Sequence, residues 1–207
     1  MGLSADQLRI SLDAIAAIEP AMAAALARVG YPEPRIRERG YATLLRTIVG
    51  QQVSVAAAQS IWNKLEAALG DLTDPATVAA ADIETLRGLG LSRQKASYAL
   101  SLADEVTSGR LDLENLPADD EEAIAQLVHV KGIGRWSAEI YLLFAEGRTD
   151  IWPAGDLAVQ IEIGRIMGHD DRPGEKAVRD LAEAWRPHRG AAAILAWHHY
   201  KTDMDVI

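Results

Sequence analysis

The 207-residue sequence contains no cysteine. That absence excludes disulfides, an iron–sulfur cluster held by thiolates, a Cys nucleophile and every Cys-ligated zinc site, and it fits a reducing cytoplasm. Aromatic residues are scarce at 5%, with a single Phe. Four of the five Trp nevertheless fall at or after position 136, namely Trp136, Trp152, Trp185 and Trp197. No apolar run approaches the ~18 residues of a membrane span, and the start MGLSADQLRI lacks the basic-then-apolar layout of a secretory signal. The expectation is a cytoplasmic protein with no membrane partner. A basic excess is also missing, because 21 Lys and Arg face 30 Asp and Glu for a formal charge of -9. Affinity for a polyanion through bulk charge alone is thereby excluded. Finally, apolar/polar alternation of β-branched residues is scarce, which argues against a sheet.

What remains is helical. Apolar residues make up 49% of the chain, enough for a sizeable core. Leu8, Leu12, Ile15 and Ile18 mark the apolar face of a first helix capped by Ser4 or Asp6 and broken by Gly30, Pro32 and Pro34. Further helices are expected over 41–49, over 54–69 with Gly70 as stop, and over 92–108, with short ones over 76–80 and 82–87. Another starts at Pro117 and the acidic stretch, and the rest are placed over 134–146, 156–167, 175–185 and 191–200, roughly ten in all. The fold class predicted is all-α. Acidic residues from Asp112 to Glu122 read as solvated surface, while Arg35, Arg37, Arg39, Arg46, Arg93, Lys95, Lys131 and Arg135 leave room for a local basic face.

The segment Leu127-Val-His-Val-Lys-Gly-Ile-Gly-Arg-Trp-Ser-Ala138 carries the most information. Gly132 and Gly134 around one apolar residue permit a tight turn between two helices, with Ile133 plugged into the core and bare amides at the second helix's start. Such amides neutralise a phosphate without a Lys cluster, which is how an acidic protein can hold DNA. Two other readings compete. In one the glycines simply end one helix and start the next; in the other Gly-Ile-Gly-Arg-Trp-Ser opens a dinucleotide site with Asp150 on a ribose, but that site lacks its third glycine and the surrounding βαβ units. A weak internal echo, Gly88-Leu89-Gly90 before the helix carrying Lys95 and Ala96, repeats the helix, Gly-apolar-Gly, helix form.

Four blocks occur in one order: Ile48-Val-Gly-Gln-Gln-Val-Ser-Val55, Gly88-Leu-Gly-Leu-Ser-Arg-Gln-Lys-Ala-Ser-Tyr98, Val130-Lys-Gly-Ile-Gly-Arg-Trp-Ser-Ala-Glu139 and Trp152-Pro-Ala-Gly-Asp-Leu157. Together they resemble the helix-hairpin-helix DNA glycosylases, specifically the DNA-3-methyladenine glycosylase II group of alkylation-repair enzymes, over about residues 36 to 200. The resemblance implies two helical lobes with the active-site cleft between them. One lobe spans 36–152 and carries the hairpin at about 120–146; the other joins 1–35 to 153–207. Larger members have an extra N-terminal β-rich domain, whereas the residues ahead of the matching region here read as helix, so a compact form is expected.

The same resemblance implies site roles. Asp156 matches the catalytic aspartate, a residue that by itself reads as the N-cap of the following helix. There a carboxylate is suited to stabilise the oxocarbenium-like sugar as the base departs and to orient water. Members that also cut the backbone through a Schiff base carry Lys where this chain has Trp136, and Lys131 does not match that position. A monofunctional enzyme leaving an abasic site is therefore implied. Trp136 and Trp197 match residues lining the base pocket, whereas Trp152 and Trp185 read as core. Where many relatives place another aromatic, this chain has Ile140.

DNA contacts are implied at Gly132, Ile133, Gly134 and Arg135 of the hairpin and at the turn carrying Gln51, Gln52 and Ser54, with Gln52 at the position of the wedge that fills the gap of an extruded nucleotide. A monovalent cation on the carbonyls of Val128, Val130 and Ile133 is the only ion implied; no cofactor serves the chemistry. The five His show no metal-ligand spacing, and His198 and His199 read as helix-surface or pocket-rim residues. The implied partner is damaged double-stranded DNA, bound by a monomer without a nucleotide cofactor. A non-catalytic helix-hairpin-helix DNA-binding module is the competing function, from which Asp156 and the Trp pair discriminate.

Overall fold

The computed structural model describes residues 2–204 and, within them, no strand. In chain order the helices are α1 (Ala5–Ile18), α2 (Pro20–Val29), α3 (Tyr41–Gly50), α4 (Val55–Leu69), α5 (Pro75–Ala79) and α6 (Ile83–Gly88). They continue with α7 (Arg93–Thr107), α8 (Asp120–Val128), α9 (Arg135–Tyr141), α10 (Leu157–Ile166), α11 (Glu175–Leu181) and α12 (Arg189–Met204). A π-turn over Leu142–Glu146 follows α9, and a 3-10 turn over Ala182–Trp185 follows α11.

The chain divides into two compact units, Glu38–Tyr141 and Met1–Arg37 with Leu142–Ile207. Residues 36–37 and 142–152, which the resemblance groups with the hairpin, cluster with the terminal segments instead. The physical reason is burial: Leu143 packs over Gly190, the amide of Gly190 donates to the Thr149 carbonyl at 2.8 Å, and that of Arg37 donates to the Phe144 carbonyl at 2.8 Å.

In the internal unit α7 is the central post. Its Ala96, Ala99 and Ala103 are buried one turn apart, and small side chains on that stripe let α3, α5 and α6 approach closely. Leu44, Leu45 and Ile48 of α3, Val78 of α5 and Leu86 of α6 complete the core. Each large side chain so buried contributes roughly 1.5–3 kcal/mol relative to leaving it exposed. Side-chain caps set the helix starts: Ser54, Asp74, Asp82, Ser92 and Asp119 each accept from an amide of the first turn.

In the terminal unit the central element is α12, whose residues Ala191–Ala196 are all buried and meet α1, α2 and α10. The first expected helix is in fact two. Pro20 stands at the first position of α2, where its missing N–H is harmless, and Glu19 caps it through the Ala21 amide at 3.3 Å. Ile18, placed by spacing on the apolar face, is consequently exposed at the break. Trp152 and Trp185 are core, edge to face at 5.7 Å, with the Trp152 indole donating to the Val178 carbonyl at 3.2 Å.

Candidate active site

The hairpin is built by α8, a turn over 129–134, and α9. Ile133 is 3% exposed and plugs the core, and its amide donates to the Val130 carbonyl at 3.0 Å. The two glycines do different work. Gly132 has φ +87°, and a Cβ there would lie 2.2 Å from Tyr98 Cδ2, so the Tyr98 ring of α7 is seated directly on its backbone. A Cβ on Gly134 would meet nothing within 4 Å, so its backbone faces open space at the start of α9. Of the pair, Gly134 is the one open to a phosphate.

A cavity of about 510 Å³ joins this turn to the one between α3 and α4. Gln51, Gln52, Val128, Val130, Gly132, Ile133 and Gly134 line it together with Lys95 and Tyr98. Gln51 Nε2 donates to the Gly132 carbonyl at 2.8 Å, and Lys95 Nζ donates to the Val49 carbonyl at 2.9 Å at the end of α3. Partial burial lowers the Lys95 pKa, and its positive charge faces the negative end of the α3 dipole. Between these two clamps Gln52 is exposed at φ +54°, a left-handed conformation costly for a residue with a Cβ. Neither clamp is signalled by spacing, since each joins segments far apart in sequence.

Not every expected DNA residue faces outward unengaged. The Arg135 guanidinium is held by both carboxylate oxygens of Glu121, at 2.8 and 2.5 Å, and donates through Nε to Glu139 at 2.9 Å. Hydrogen bonding to Glu121, opposed by desolvation, raises its pKa above the ordinary value. The Ser54 side chain caps α4 through the Ala57 amide at 3.2 Å. Trp136 stands 49% exposed in the first turn of α9, and Ile140 is buried on the same helix. For a monovalent cation the donor set is chemically apt: Val128, Val130 and Ile133 all line the cavity, and the Val130 carbonyl retains a second lone pair beside its bond to Ile133. Among the described residues no group of three or more His, Asp or Glu is placed to hold a metal ion.

In the terminal unit Asp156 is the N-cap of α10, and its Oδ1 accepts from the Val159 amide at 3.0 Å and from the Trp197 indole Nε1 at 3.1 Å. The turn before it is pinned by the Asp156 amide, which donates to the Pro153 carbonyl at 2.9 Å. Trp197 is half-buried against Phe144, the only Phe of the chain, with centroids 5.7 Å apart. Arg37 lies 5.9 Å over the other aromatic, Phe144. The structure thus joins Asp156 to Trp197, residues 41 apart in sequence. Phe144 carries no periodic signal in the sequence that would mark this contact. His199, expected at the helix surface or a pocket rim, is 5% exposed and lines a cavity with Arg28 and Arg165, and the fully buried Glu162 of α10 accepts from its ring at 2.5 Å.

The sequence matches the HhH-GPD superfamily of base excision DNA repair proteins over residues 45–187, more than half of the chain. The chain belongs to the HhH-GPD superfamily. This HhH-GPD protein is similar in structure to a DNA-3-methyladenine glycosidase from Bacillus halodurans, with a TM-score of 0.87, 28% identity, and 94% of this chain and 91% of that one covered. It is also similar to a Schizosaccharomyces pombe 3-methyladenine DNA glycosylase solved with abasic DNA, at TM-score 0.76 and 29% identity over 96% and 97% of the two chains. A Bacillus subtilis protein named as a candidate DNA-3-methyladenine glycosylase is 28% identical over 76% of this chain, which spans 58% of that relative's length. Among the described residues of this HhH-GPD protein no helix is long and apolar enough to cross a membrane.

Proposed function

We propose that the protein is a monofunctional DNA glycosylase that binds damaged duplex DNA as a monomer and hydrolyses the N-glycosidic bond of extruded alkylated purines of the 3-methyladenine and 7-methylguanine type. The observation that carries the reading is the Asp156 carboxylate, held at the head of α10 by a backbone amide and the Trp197 indole. A carboxylate anchored through Oδ1 needs little reorganisation when positive charge develops beside it, the condition under which electrostatic stabilisation is most effective. As the C1′–N bond breaks, its electron pair passes to the cationic base, which leaves neutral. The sugar becomes an oxocarbenium ion stabilised by Asp156, and water adds at C1′ with loss of a proton. No covalent bond to the protein forms.

The remaining residues bind and orient. Gly134 offers backbone N–H to a phosphate, and Gln52, held in a strained exposed turn, enters the gap left by the extruded nucleotide. Trp197 and the exposed Trp136 offer aromatic faces suited to a cationic base. A monovalent cation on the carbonyls of Val128, Val130 and Ile133 would neutralise phosphate charge next to the hairpin. Trp136 cannot form a Schiff base, which is why no lyase step is proposed.

Product analysis on methylated duplex tests this reading. Free 3-methyladenine and 7-methylguanine should be released, the strand should stay intact until treated with alkali or heat, and borohydride should trap no covalent complex. A trapped complex that disappears in Lys131→Ala would replace the hydrolytic mechanism by a lyase. Binding to damaged duplex with no base release would leave a DNA-binding module.

A further inference from the structure

Glu162 is the least expected side chain of the terminal unit, a carboxylate with no exposed surface in the run Leu157–Ile166. Its Oε2 accepts from His199 Nδ1 at 2.5 Å, and its Oε1 accepts from Arg165 at 2.7 Å. The second ring nitrogen of His199 is met by the Arg28 guanidinium from α2. A carboxylate accepts from a ring N–H and a guanidinium donates to a ring nitrogen, so His199 links Glu162 of α10 to Arg28 of α2. Next to it, the His198 ring lies 3.0 Å from the Val29 carbonyl, a second tie between α12 and the end of α2. A buried ion pair is poor evidence of stability, because desolvation offsets its attraction. Such pairs are best explained where they fix a register.

The register in question matters to the reaction. Trp197 precedes His199 by two residues on α12, and Asp156 precedes Glu162 by six at the head of α10, about 9 Å along the axis at 1.5 Å per residue. Two polar rungs therefore join α10 to α12: Asp156 to Trp197, and Glu162 to His199. Apolar packing between the helices tolerates small slides and rotations, whereas two directional contacts at separate points do not. A slide of one residue, 1.5 Å, would lengthen the 3.1 Å contact of the indole N–H with Asp156 Oδ1 to between about 3.4 and 4.6 Å, weakening or breaking it.

We propose that Glu162 and His199 are positioning residues for base excision, a second rung that holds the Trp197 indole on the Asp156 carboxylate. This rests on the assignment of Asp156 above, so the test has one readout that needs no DNA. In ¹⁵N-labelled protein the Trp197 indole N–H signal, assigned with Trp197→Phe, reports the contact with Asp156 directly. Single-turnover release of 7-methylguanine from methylated duplex reports the reaction, and affinity for an abasic-site duplex reports binding.

Glu162→Leu should move or broaden the indole signal and slow excision tenfold or more, with affinity changed less than threefold. Glu162→Gln, which still accepts from Nδ1, should recover most of both. His199→Phe keeps the ring volume without its nitrogens and should behave as Glu162→Leu does. The pair Glu162→Leu/His199→Phe removes the buried charge, so it should fold at least as well as either single variant and still excise slowly. A double variant with wild-type excision would overturn the proposal, as would an unmoved indole signal in folded Glu162→Leu. If instead the indole moves as expected while Asp156→Asn excises normally, the register stands and the assignment of Asp156 falls.

Discussion

At the scale of single residues the structure separates groups that the sequence pattern treats alike. Gly132 and Gly134 form one motif, yet only Gly132 has a positive φ and an aromatic ring against its backbone. Gly132→Val should therefore lower the melting temperature, with about 1–2 kcal/mol lost to the left-handed backbone alone and more to displacement of Tyr98. Gly134→Val should leave the melting temperature within a few degrees and weaken binding to damaged and undamaged duplex by the same factor, because phosphate contacts carry no base information. Thermal melts and binding titrations on the two variants check both; lesion-selective loss in Gly134→Val would contradict the assignment. Trp136→Ala should lower excision of cationic purines by roughly 1–3 kcal/mol of lost stacking, without changing the product. Comparing 7-methylguanine with neutral hypoxanthine as leaving base checks that the loss tracks base charge.

At the scale of elements, most helices are legible because their periodicity and caps agree. Ser54 and Gly70 bracket α4, Ser92 opens α7, and Asp156 opens α10 at the positions that side-chain capping predicts. Where prediction fails, a local signal competes with a longer pattern. The spacing of Leu8, Leu12, Ile15 and Ile18 suggests one helix, but Glu19-Pro20 ends it and starts another. The π-turn over Leu142–Glu146 has no signature in composition and is set by burial of Leu142 to Ala145. The site shows the same division: Asp156 and the hairpin are visible as motifs, whereas the clamps from Gln51 and Lys95 and the Glu162–His199 rung join segments far apart and require the fold. Carboxylates in turns and at the α6 cap also make the internal unit acid-sensitive. Hydrogen bonds from Thr73 to Asp71, from Thr85 to Asp82 and from Asn115 to Asp112 hold these carboxyls below their ordinary values. A depressed folded value contributes stability above the unfolded pKa of about 4 and loses it as pH falls through the folded value. The melting temperature should thus be flat from pH 7 to about 5 and decline below about 4. Asp82→Asn, which retains a capping acceptor, should lessen that decline; an unchanged acid limb would rule the Asp82 cap out as a contributor.

At the scale of the whole molecule, a formal charge of -9 must coexist with the proposed binding to a polyanion. Arg135 is engaged by Glu121 and Glu139, so in the proposed complex the hairpin would contact phosphate chiefly through backbone N–H. Few counterions are then displaced from DNA, and the slope of log Kd against log salt should be shallow, equivalent to about four phosphates or fewer. Titrations between low and physiological salt measure it, and a steep slope would point to a basic face that the charge distribution hides. The proposed reaction depends on one carboxylate, Asp156, positioned at the head of α10 by its contact with Trp197 of α12. The direct measurement is the single-turnover rate of base release from methylated duplex by Asp156→Asn, beside its affinity for the same DNA. Losing the charge that stabilises the oxocarbenium ion should cost at least ~3 kcal/mol of barrier, a hundredfold or more in rate, with the melting temperature and affinity nearly unchanged. Excision within tenfold of wild type by a folded, DNA-bound Asp156→Asn would contradict the account.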